Sequence, residues 1–192
     1  MSSNLVSFVI ATHGRKEELE QTIESILNQE YDPIELVDSR HETWVERYES
    51  QRKQVQDALE AAGLADSLRR IEHVGSTAVP GLAAKDIVDL DVVVEDGTVR
   101  EAAAVIVDRL GGTRYDNHDG WNVVSRREDG QRFNVHVFAE SDDGWKVSVA
   151  TRAVLRNRDD LCDEYGAVKR RLADETDDLD DYSRGKTALV EE

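Results

Sequence analysis

Apolar residues recur along this chain with two different periods. Residues 16–29 carry Leu19, Ile23, Ile26 and Leu27, and residues 40–62 carry Trp44, Tyr48, Val55 and Leu59. Residues 99–110 repeat the same three-or-four spacing. Such positions share one stripe of a helix, so each stretch predicts an amphipathic helix. Tyr31-Asp32-Pro33, Gly63 and Gly111-Gly112 follow the three stretches and supply their stops. Short β-branched runs at 5–11, 34–37, 68–74 and 87–94 predict strands, the last most strongly. Residues 121–127 and 132–138 flank Glu128-Asp129-Gly130 and predict a β-hairpin. Beyond Trp145 the pattern is helical again, with helices to about 156, at 159–173 and at 179–190. The pattern divides the chain into a short β-α-β extension over 1–37 and an α/β (α+β) body over 38–192 with a helical C-terminal part.

Charge narrows the range of partners. The 192 residues hold 24 Lys and Arg against 41 Asp and Glu, a net charge of −17. Such a surface repels nucleic acid and anionic membranes, so neither is an expected partner. The acids are spread along the whole chain and the bases are mostly arginine. That distribution suits a salt-loving (halophilic) setting, where screening offsets self-repulsion. Hydrophobic residues make up 39% of the chain, enough for a real core. Cys162 is the only cysteine, which rules out an internal disulfide and a four-cysteine zinc site; its helical context predicts a buried thiol. No apolar run has the length of a membrane span, and the first residues lack a basic leader, so the expected location is cytoplasmic.

The chemistry concentrates in residues 72–94. A strand leads into Gly75-Ser76, and a later strand carries Asp89 and Asp91. Side chains two apart on a strand leave the same face, so the two carboxylates are neighbours. Their repulsion is relieved by a divalent cation, and hard oxygen ligands favour Mg2+ or Mn2+. Gly75 permits close approach of a phosphate, while Ser76 and Thr77 add hydroxyls beside exposed backbone N–H groups. His73 borders the turn. Lys85 precedes the Asp-bearing strand, and Arg152, Arg156, Lys169 and Lys186 lie on the C-terminal helices. An inward-facing basic cluster in so acidic a chain calls for an anion, so these residues form the expected far wall of a phosphate site. The blander readings are a plain turn, a solvated strand face and surface ion pairs. Trp44, Trp121 and Trp145 are expected to pack rather than to stack on a base.

The strings HVGSTAVPGLAAK, VDLDVVV and FNVHVF, followed by LRNRDDLCDEYGAVKRRLA and YSRGKTALVEE, resemble the GrpB family over roughly residues 35–192. That family is often placed in the polymerase-beta-like nucleotidyltransferase superfamily. The resemblance implies a nucleotidyltransferase-like mixed sheet flanked by helices, a nucleotide or phosphorylated small molecule as ligand, and Asp89, Asp91 and His136 as the catalytic set. Active superfamily members carry a third carboxylate where this chain has His136, with Asn134 on the same face. A histidine ligates a metal when neutral, but it does not act as a carboxylate base. Two functions follow as expectations. One is metal-dependent transfer of a nucleoside monophosphate to a small molecule or protein. The other is a non-catalytic nucleotide- or phosphometabolite-binding module. Separately, VSFVIATHGRKEELEQTIESILNQEYDPIEL resembles the opening of family-2 glycosyltransferases. The acidic metal signature that follows in those enzymes is absent, and Asp38 alone does not replace it, so 1–37 is expected to be an extension and not a working transferase.

Overall fold

The computed structural model describes residues 35–175. The elements predicted at 5–11, 16–29 and 179–190 lie outside the described residues, as does Lys186. Of the strand predicted at 34–37, the described part contributes a single antiparallel bridge between Val37 and Ala84.

Helix α1 (His41–Ala61) buries Trp44, Tyr48, Gln51, Val55, Ala58 and Leu59 on one stripe. Gly63 follows it at φ 81, a conformation that releases the chain from the helix without a side-chain clash. Strands β1 (Leu68–Val74) and β2 (Ile87–Val94) pair antiparallel. Helix α2 (Val99–Leu110) then crosses to β3 (Thr113–His118), β4 (Trp121–Glu128) and β5 (Gln131–Ala139). Helices α3 (Gly144–Asn157) and α4 (Asp159–Glu175) complete the described chain. The sheet order is β1-β2-β5-β4-β3. Only β2 and β5 are parallel; the other neighbours are antiparallel. The β4–β5 hairpin turns through Asp129 and Gly130, both at positive φ, as a tight hairpin turn requires.

Strand β3 escaped the sequence pattern for a physical reason. Its residues, TRYDNH, have no apolar alternation, and all but Tyr115 are exposed. It is held by pairing to β4 at the sheet edge. Cys162, expected to be buried, is half-buried.

The core lies between one face of the sheet and helices α1 and α2. Val88, Leu90, Val92 and Val94 of β2 and Phe133, Val135 and Val137 of β5 pack there with Trp44, Val55, Leu59, Ala102 and Ile106. Strand alternation then sends Asp89, Asp91, Asn134 and His136 to the opposite face. A polar network crosses the core side: Arg126 donates to Gln51 and to the Leu110 carbonyl, and Gln51 donates to Glu128. It ties α1 to β4.

His73 belongs to this core side as well, since it pairs with Leu90 across β1 and β2. Its ring stacks on Tyr48 at 4.7 Å, and Nε2 lies 3.1 Å from Thr77 Oγ1. Burial lowers its pKa from 6.5 to about 4, against the opposing pull of Asp89. The folded protein therefore leaves this ring neutral where the unfolded chain protonates it. Its stabilising effect is complete above about pH 6.5 and is lost as the pH falls towards 4, by up to about 3 kcal/mol. Denaturant unfolding across this window is expected to show a shallower pH slope for His73→Gln than for the wild type.

Candidate functional site

The carboxylate face opens into a cavity of about 670 Å3, bounded by the turn after β1, strands β2, β4 and β5, and helices α3 and α4. Parallel pairing sets Asp89 beside Asn134 and Asp91 beside His136. Asn134 Nδ2 donates to Asp89 Oδ1 at 3.0 Å, and His136 Nε2 lies 3.7 Å from the same oxygen. Asp91 is 1% exposed, and its Oδ2 meets no hydrogen-bond donor. Burial raises its pKa to about 7; His136 and the Ser148 hydroxyl oppose the rise. His136 is half-buried; desolvation lowers its pKa, but Asp89 and Asp91 outweigh that and leave it raised. Its Nδ1 is likewise buried without a partner.

These observations test whether a divalent cation fits. Asp91 is a buried carboxylate with a vacant lone pair and a reluctance to ionise, beside a second carboxylate on the same face. A hard cation would satisfy that oxygen and restore the charge. Among the described residues no group of three or more His, Cys, Asp or Glu side chains is placed to hold a metal ion. Two carboxylates would hold an ion such as magnesium only together with water and substrate oxygens.

The turn is fitted to Asp89. Gly75 sits at φ 70, and a Cβ there would lie 2.5 Å from Asp89 Oδ2. The glycine is thus required by the carboxylate packed against it, a role distinct from the expected approach of a phosphate. Ser76 lines the cavity and is hydrogen-bonded to Tyr165 of α4. Thr77 is 1% exposed, and its hydroxyl is engaged with His73. Lys85 lines the cavity; burial lowers its pKa, and Asp89 opposes that. Lys169 also lines it, 2% exposed, with Nζ donating to the Ala83 carbonyl.

Three residues expected at the site lie elsewhere. His73 is on the core side of the sheet. Arg152 donates to the His73 carbonyl and to Glu72 Oε2 at 3.0 Å, and Arg156 donates twice to the Ala78 carbonyl, at 2.9 and 2.6 Å. These guanidiniums hold backbone in place and are not among the cavity's lining residues. Conversely, Trp121, Phe138, Asp142 and Ser148 line the cavity without having been singled out for it. Trp121 was expected to pack, and its place opposite Phe138 in the hairpin register was the available signal. Asp142 could not be told from its acidic neighbours.

The sequence model described as "GrpB protein" matches residues 33–192. The chain belongs to the GrpB family. A UPF0157 protein of Deinococcus radiodurans is 30% identical over 92% of this chain and 89% of its own length. The crystal structure of the conserved protein GrpB from Enterococcus faecalis has a TM-score of 0.66 at 23% identity, covering 82% of this chain and 98% of that one. The Cid1 poly(U) polymerase with magnesium and 3'-dATP has a TM-score of 0.48 at 11% identity, covering 81% of this chain and 49% of that one. The matched GrpB region begins at residue 33, so it leaves out almost all of residues 1–37, and the resemblance of that segment to family-2 glycosyltransferases is not shown.

Asp91 yields a stability prediction. A carboxyl raised from 3.8 to about 7 on folding favours the folded state; that advantage is complete below pH 3.8, falls as the unfolded chain ionises above it, and is gone above about pH 7. Asp91→Asn is therefore expected to stabilise the metal-free protein at pH 8, by about 1–3 kcal/mol, and by less than half as much at pH 5. Thermal unfolding at the two pH values checks this; a variant less stable than wild type at pH 8 would contradict it.

Proposed function

We propose that this GrpB-family protein binds a nucleoside triphosphate with a divalent cation at Asp89 and Asp91, and transfers the nucleoside monophosphate to a small molecule or protein. The observation that carries the reading is the buried, unpartnered Asp91 oxygen beside Asp89, with the Gly75-Ser76 turn packed against them. Bound there, magnesium (or manganese) supplies positive charge to phosphate oxygens that the two carboxylates alone would repel. Ser76 offers a hydroxyl to the phosphates, and Lys85 and Lys169 balance their charge. The acceptor oxygen attacks the α-phosphorus, the bond to the bridging oxygen breaks, and pyrophosphate leaves with the electron pair. The acceptor's proton is released to solvent, and His136 stays beside Asp89 in the pocket.

A second reading, a nucleotide- or phosphometabolite-binding module without turnover, is favoured by the ion pair between His136 and Asp89, where a third carboxylate would serve transfer better.

Labelled nucleoside triphosphates with magnesium distinguish the two. Transfer of label by the wild type, reduced about a hundredfold or more in Asp89→Ala, is expected. Equal transfer by both proteins sinks the assignment. Magnesium-dependent binding without transfer leaves the binding module, and failure to bind any nucleotide removes both readings.

A further inference from the structure

We infer that the cavity has a second subsite, around Trp121, Phe138 and Asp142, which holds the acceptor, and that this acceptor is a planar ring bearing a protonated amine. The inference rests on the reading of the Gly75–Asp91 end as the phosphate and metal site.

The rings are arranged by strand register. Trp121 and Phe138 are directly opposed on β4 and β5, with centroids 5.5 Å apart and planes within 5°. The His136 ring lies near-parallel to both, at 23° and 18°. Three aligned rings at one end of a cavity give a flat ligand edges and faces to pack on. The Trp121 indole N–H is buried without a partner.

Asp142 adds the charge, and two glycines make room for it. Its Oδ1 accepts the Gly144 N–H at 2.7 Å, and its Oδ2 lies 3.7 Å from His118 Nε2. A Cβ on Gly120 would come within 3.0 Å of Asp142 Oδ2. A Cβ on Gly144 would meet Phe138 Cε1 at 2.8 Å and Asp142 Oδ1 at 3.0 Å. Neither glycine has a positive φ, so space is what these positions require. The missing side chains allow the carboxylate to lie beside the Phe138 ring. A carboxylate next to aromatic rings attracts an organic cation through charge and ring quadrupole together.

Position assigns this subsite to the acceptor. Across the sheet, the turn after β1 comes first, then the carboxylates of β2, then His136 and Phe138 of β5, then Trp121 of β4. Displacement at phosphorus places the attacking atom opposite the leaving oxygen. With pyrophosphate leaving at the turn, attack comes from the β5–β4 side.

Tyramine, p-cresol and 4-hydroxyphenylacetate share one ring and differ in charge. Titrated into the full chain and followed by calorimetry, tyramine is expected to bind best, p-cresol more weakly and the anion least. Asp142→Asn should weaken tyramine about fivefold or more and bring it to the level of p-cresol. Trp121→Leu should weaken both neutral and cationic rings. Magnesium pyrophosphate is the separate probe of the other end, with binding expected to depend on Asp89. If magnesium pyrophosphate binds but tyramine does not, or the three rings bind alike, the acceptor inference is overturned and the phosphate reading stands. If magnesium pyrophosphate fails to bind, the phosphate reading fails and takes the acceptor role with it.

Discussion

Asp91 lies on the parallel pair at the middle of the sheet, shut away from water, with one oxygen facing no donor. An ionised carboxylate in that position costs several kcal/mol unless charge is brought to it. The β2–β5 register brings His136 alongside, and the next pair along the same face is Asp89 with Asn134. The fold therefore builds a place where negative charge is concentrated and incompletely satisfied. A proton relieves it in the free protein, which is why the carboxyl titrates near 7. A cation at the proposed site would relieve it further, because it would also meet Asp89.

The segment between β1 and β2 must be held against that face, and it is largely buried. Ala78, Val79, Leu82, Ala83 and Ala84 are all out of water, so their backbone groups need partners within the protein. The C-terminal helices supply several. Arg152, Arg156 and Lys169 donate to the carbonyls of His73, Ala78 and Ala83. Ser39 accepts the Gly81 N–H, and Val37 bridges Ala84. The basic residues of the C-terminal helices thus fix the roof of the site more than they line it. Lys169 does both, since it also borders the cavity.

How much of this was legible in the sequence depended on whether burial left a periodic trace. Strands β1 and β2 and helix α2 were readable because one face of each meets the core. Strand β3 left no trace, because an exposed edge places no demand on side-chain polarity. Asp89 and Asp91 were readable as neighbours from strand alternation alone. The same alternation puts His73 with Leu90 on the core side, and it was overlooked because the adjacent turn suggested a site role. Arg152 and Arg156 misled for a different reason. Their sequence shows a positive charge near the expected site, but not that buried carbonyls compete with a phosphate for it. The space around Asp142 depends on Gly120 and Gly144, which are far apart in sequence from each other and ordinary in backbone conformation.

The proposed cation site stands or falls on Asp91. Its carboxyl 13C resonance, titrated by NMR in metal-free protein and again with magnesium and pyrophosphate, tests that directly. A midpoint near 7 is expected without metal, with ionisation persisting well below pH 7 when magnesium and pyrophosphate are present. A midpoint near the ordinary carboxyl value, or one that magnesium leaves unmoved, would contradict it.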